Sequence, residues 1–156
     1  MPKAFKRASA QAVSAYTPVV RRSYKPRPNG HDPFFDLPFV SYSKRGDYIF
    51  DMNAWSVPAT EDYGDACRAG REFAANFAQY LKDNSDEAGS NALGLIVRGM
   101  DFSGNPETNG YWVGFLSYLE ELIVLAAKRS DIFNAVDKCN MRSLIVEAEL
   151  EEEETA

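Results

Sequence analysis

The chain has 156 residues, 45% hydrophobic and 13% aromatic, with 17 basic and 23 acidic side chains and a formal net charge of −6. That length suits one domain, and large aromatics supply enough buried area to hold it together. One histidine and two cysteines far apart in sequence, Cys67 and Cys139, leave no zinc site of ordinary spacing and point to free thiols in a reducing cytosol.

The charge is segregated. Residues 1–30 hold seven basic side chains and no acidic one; the remaining ten basic and all 23 acidic residues follow. Five of the eight prolines lie in residues 1–36, and Lys25-Pro26-Arg27-Pro28-Asn29-Gly30 is poor in backbone donors and biased toward extended geometry. We read 1–36 as a basic arm, with Ala8 to Tyr16 able to form a short helix when bound, 37–150 as one domain, and 151–156 as an acidic tail. No continuous apolar run marks a secretory signal. The most apolar stretch, Tyr111 to Ala127, is interrupted by Glu120 and Glu121, so no membrane partner is expected.

Residues 38–57 predict an antiparallel β-hairpin. Phe39 to Ser43 and Asp47 to Met52 are aromatic and β-branched runs, Lys44-Arg45-Gly46-Asp47 is the turn between them, Trp55 to Val57 extends the second strand, and Pro58 ends it. A helix follows over 60–83, opened by Thr60 and favoured by Glu61, Asp62 and Asp65 near its positive end. Tyr63, Cys67, Gly70, Phe73, Phe77, Tyr80 and Leu81 recur at helical spacing. Ala66, Gly70, Ala74 and Ala78 form a second, small-residue row that lets another backbone approach. Asp62, Asp65 and Glu72 read as a solvated face.

Ser90 caps a second helix over 90–101, with Leu93, Ile96, Val97 and Met100 inward. Asp101 to Gly110 reads as a long polar loop and a contact surface. Its alternating oxygen side chains do not make a calcium loop: Pro106 stands where the sharp turn needs glycine, and Trp112 where a bidentate glutamate belongs. A third helix over 111–129 places Trp112, Phe115, Leu116, Leu119, Leu122, Ile123 and Ala126 on one stripe, widened by Val113, Val124 and Leu125. So broad an apolar surface is either central or shared with a second copy. A short helix over 131–138 comes next. Residues 142–150 alternate as a strand that joins the hairpin, with a helix as the rival reading. The fold class is therefore α+β: a hairpin packed on three or four helices.

No phosphate-binding glycine motif can be written. His31 sits in a Pro/Gly-rich stretch that holds no catalytic geometry. No cofactor is expected. The arm interleaves cations with aromatics, which suits phosphates and bases as well as an acidic protein groove. A carboxylate-rich body can instead occupy a basic groove, mimicking nucleic acid. The leading expectation is a non-enzymatic accessory protein in the cytoplasm. It would bind a protein partner through Arg21, Arg22, Lys25 and Arg27 of the arm and Asp101, Asn105, Glu107 and Asn109 of the loop. A phage- or plasmid-encoded inhibitor of a host nucleic-acid-binding defence system fits that profile. The alternatives are a nucleic-acid-binding protein acting through the arm and a small enzyme with a carboxylate-based site. A homodimer through helix 111–129 is also expected from its apolar breadth.

Overall fold

The computed structural model describes residues 32–46 and 48–142. The arm 1–30 with its Ala8–Tyr16 segment, His31, the turn residue Asp47, the strand expected beyond Arg142, and the acidic tail lie outside the described residues. The architecture is α+β, an antiparallel hairpin packed on helices. The described residues fall into two units, one ending at Phe115 and the other starting at Leu116.

The first unit opens at a 3-10 turn, Pro33–Asp36. The Asp32 carboxylate caps it by accepting from the Phe34 N–H at 2.9 Å. Read from its prolines as the end of the arm, this turn instead buries Phe34, whose ring meets Tyr80 edge-on at 6.0 Å. Strand β1, Ser41–Arg45, pairs with β2, Tyr48–Asn53, and the register steps by one residue between Ser43 and Lys44. Gly46 supplies the left-handed turn residue at φ +64. Trp55 to Val57 does not extend β2. The Asn53 side-chain oxygen accepts from the Trp55 N–H at 2.9 Å and turns the chain there. The residues flanking the strands, Phe39 and Trp55, carry the burial, and the Ser56 N–H donates to the Phe39 carbonyl at 2.6 Å.

Helix α1, Tyr63–Asp83, starts three residues later than the spacing predicts. Its cap is Asp62, which accepts from the Asp65 N–H at 2.7 Å; Thr60 stands one turn outside and accepts from the Asp62 N–H at 3.2 Å. Phe73, Phe77 and Tyr80 are buried as expected, each contributing about 1.5–3 kcal/mol of apolar burial. Glu72, expected on the solvated face, is buried, as is Asn76, whose side-chain amide donates to the Glu72 carbonyl at 2.7 Å. After a 3-10 turn at Ser85–Glu87, α2 spans Ala92–Gly99. Asn91, in the left-handed region at φ 68, precedes it and Ser90 does not cap it. Ile96 and Met100 face inward, whereas Leu93 is exposed.

Helix α3, Pro106–Ala127, begins five residues before the expected start. Pro106 is the reason: proline is preorganised for a first helical position. Gly110, read as the end of a loop, lies inside the helix and is buried. Its buried face is Gly110, Tyr111, Gly114 and Phe115. This face lies directly on α1. A Cβ at Gly70 would collide with the Tyr111 carbonyl oxygen, and one at Gly114 with that of Cys67. A Cβ at Gly110 would come 2.7 Å from that of Ala66. The small row of α1 thus has a partner row on α3, and the backbones touch. Tyr111 then stacks on Phe73 at 5.8 Å, and Phe115 enters an aromatic cluster with Phe39 at 5.7 Å and Trp55 at 5.2 Å.

The second unit contains the later half of α3 and a helical segment over 132–142, which runs past the expected end at 138. Several of its apolar side chains are uncovered, with Ile123 66% exposed and Phe133 82%, whereas Leu116, Leu119 and Leu122 are half-buried. The expected inward stripe therefore fails beyond Phe115 at Ile123. By length and a mean hydropathy of 1.2, α3 is also the one described helix able to cross a membrane.

Alanine at Gly114 tests the backbone contact. Helix propensity alone favours alanine by roughly 1 kcal/mol. Collision with the backbone of α1 reverses the sign, and overpacking costs about 1–3 kcal/mol. Net of the propensity gain the loss is up to about 2 kcal/mol, so G114A should lower the melting temperature by up to roughly 8 °C. G94A, whose new Cβ meets only the displaceable Asn91 side chain, should leave it level or raise it. Thermal denaturation of both variants checks this. Burial, and then the nearby Asp65 charge, raise the Tyr111 phenol above its ordinary value near 10. Stability from that neutral phenol is complete below pH about 10 and is lost as pH climbs through the raised value. Denaturant melts should show an alkaline fall that Y111F reduces.

Candidate binding cleft

A cleft of about 460 Å³ lies where the end of the hairpin, the end of α2 and the start of α3 meet. Each wall has a local cause. Trp55 stands there because Asn53 turns the chain after β2 and because its ring packs on Phe115 and Phe39. Gly99 lets α2 end against Trp55, since a Cβ there would sit 3.1 Å from the tryptophan Cβ. The connection from Met100 to Asn105 is short and internally hydrogen-bonded. The Asp101 carboxylate accepts from the Ser103 N–H at 2.9 Å and from its hydroxyl at 2.8 Å. The Asn105 side-chain oxygen accepts from the Glu107 N–H at 2.8 Å, which caps α3. The Asn109 amide donates to the Gly104 carbonyl at 3.5 Å.

Trp112 forms the other aromatic wall, one position on from Tyr111 and so turned away from α1. Phe102, itself exposed, meets its ring at 5.2 Å. The Trp112 indole Nε1 is buried and has no hydrogen-bond acceptor among the described residues. Asn53, Ser56, Thr108 and Asn109 add neutral hydrogen-bonding groups, and Asp101 is the lining carboxylate. Among the described residues no lysine, arginine, histidine or cysteine is in the lining. The chemistry offered is hydrogen bonding and aromatic contact.

Of the residues singled out in the sequence, Asp101, Asn105 and Asn109 are brought together in this cleft. Glu107 is half-buried on the first turn of α3 and is not part of the lining. Arg21, Arg22, Lys25 and Arg27 lie outside the described residues. Trp55, Ser56, Thr108 and Trp112 were not singled out as partner-binding. The Asn105-Pro106 pair is the signal that could have found two of them, because a cap followed by a first-turn proline moves Thr108 and Trp112 onto the start of a helix beside the loop. Among the described residues no group of three or more histidine, cysteine, aspartate or glutamate side chains is placed to hold a metal ion. Cys67 is half-buried and Cys139 exposed, and neither is in a disulfide. A hydrogen bond with Cys67 is the main cause that raises the Tyr63 phenol above its ordinary value.

Compared with known proteins, the chain matches no family model, no curated protein and no solved structure.

The Asn105 cap holds the helix start that forms one side of the cleft. N105A should cost about 1 kcal/mol, or roughly 2–4 °C in melting temperature for a chain of this size. N105D and N105S, which keep a capping oxygen, should lose less than half of that in the same melts.

Proposed function

We propose that the protein is a binding protein that engages a partner polypeptide through this cleft, with the basic arm extending the contact. The observation that carries the reading is the Trp112 indole N–H, buried with no acceptor among the described residues, on a cleft whose lining is mostly neutral donors and acceptors with the Asp101 carboxylate beside them. An unpaired buried donor costs about 1–3 kcal/mol. An acceptor brought in by a partner, such as a main-chain carbonyl, relieves that cost once the ring turns enough to expose its N–H. Asn53, Ser56, Thr108 and Asn109 are short and uncharged, which suits the alternating N–H and C=O groups of an extended chain more than a phosphate backbone. Tryptophan is enriched among the residues that dominate protein–protein binding energy, because a large rigid ring loses little entropy when it is covered. The acidic excess outside the arm suits a partner with a basic surface.

Affinity capture from the native host with the full chain tests the reading. T108R fills the cleft from the half-buried first turn of α3, and R21A/R22A/K25A/R27A discharges the arm. The expected result is one protein recovered equally with and without nuclease, reduced at least tenfold by T108R. The arm variant should bind more weakly with a flatter salt dependence. Recovery that disappears with nuclease, or that ignores T108R when its melting curve is unchanged, overturns the proposal.

A further inference from the structure

The second unit carries a surface that the cleft reading does not use. The later half of α3 presents Val124 at 48% and Leu125 at 54% exposure, beside a shallow groove of about 500 Å³ shared with Glu120 and Glu121. The Lys128 N–H still donates to the Val124 carbonyl at 3.2 Å, so the helical turn reaches Lys128 although the regular helix ends at Ala127. Residues four apart share a helix face. One face therefore reads acid, apolar, base: Glu120 and Glu121, then Val124 and Leu125, then Lys128 and Arg129. All four charged side chains are exposed.

That order has a symmetry. We propose that two copies of this chain pair antiparallel along the end of α3, with the twofold axis between Val124 and Leu125. The pairing sets Glu121 of each copy opposite Lys128 of the other and Glu120 opposite Arg129. Val124 and Leu125 cover each other at the centre. A parallel pairing would oppose glutamate to glutamate and lysine to lysine. The complementarity lies within a single helix, which is what an isologous interface requires: residue i meets j and j meets i. Apolar burial supplies the attraction, and the charges set orientation and register, since exposed ion pairs add little by themselves. A lipid bilayer would cover the apolar side chains but would leave the acid–base order without a use.

Sedimentation velocity of the full chain over a hundredfold range of concentration tests this. The wild type should pass from monomer to dimer. The variant E120K/E121K carries only positive charge along the face, and K128E/R129E only negative. Each should remain monomeric at concentrations at least tenfold above the wild-type midpoint. Their equimolar mixture should sediment as a dimer, because each variant now presents the complement of the other. L125E should be monomeric as well, and it stands in if either charge variant fails to fold by circular dichroism. A wild type that is monomeric throughout overturns the proposal. So does a mixture that stays monomeric, an open-ended series of larger species, or a monomer that partitions onto phosphatidylcholine vesicles.

Discussion

The contact between the backbones of α1 and α3 sets most of what surrounds it. Gly70 receives the Tyr111 carbonyl, Gly114 receives that of Cys67, and Gly110 lies against Tyr63 and Ala66. None of these approaches is open to a residue with a Cβ. Each glycine weakens its own helix by roughly 1 kcal/mol relative to alanine. Packing offsets that loss: with the helix axes so close, Tyr111 stacks on Phe73, and Phe115 reaches Phe39, Trp55 and Phe77. Phe39 and Phe115 are fully buried as a result. A wider spacing would leave gaps among those rings, and dispersion attraction falls steeply with a gap of even an ångström.

The cleft inherits its shape from the same contact. Tyr111 faces α1, so Trp112, about 100° further round the helix, faces away toward the 100–105 connection. Phe115 holds Trp55 from the other side. The hairpin contributes through the residues at its base, because β1 itself is mostly exposed. Glycine acts once more at position 99, where it lets the end of α2 close against Trp55. A polar cleft is thus built on an aromatic foundation, with short side chains whose own hydrogen bonds fix the loop in place.

The two surfaces proposed for binding differ in kind. The cleft is small and lined by short hydrogen-bonding groups, mostly neutral with the Asp101 carboxylate among them, and such groups favour orientation and discrimination between partners. The end of α3 is apolar with flanking charge, which favours association with a surface of the same make-up. Among the described residues no cysteine or histidine lines either surface. Glu72 illustrates how little charge type alone says about location. It follows Arg71 and precedes Phe73 in an ordinary helical pattern, yet it is buried on α1 beside Asn76.

The sequence by itself determined the hairpin, the existence and type of each helix in the body, and the need of α1 for a close neighbour. These are local matters: spacing of apolar residues, a glycine in a turn, and small residues four apart bias a segment whatever lies across from it. The sequence also grouped the polar residues Asp101, Asn105 and Asn109 between two apolar helices, and the fold places all three in the lining of one cleft. Only the tertiary structure decided which helix meets the small row of α1, why Gly110 belongs to a helix instead of a loop, and where Trp112 and Trp55 stand. It also decided that Glu72 is buried while Ile123 is exposed. Burial is a property of a pair of surfaces, and one strand of sequence carries only half of each pair.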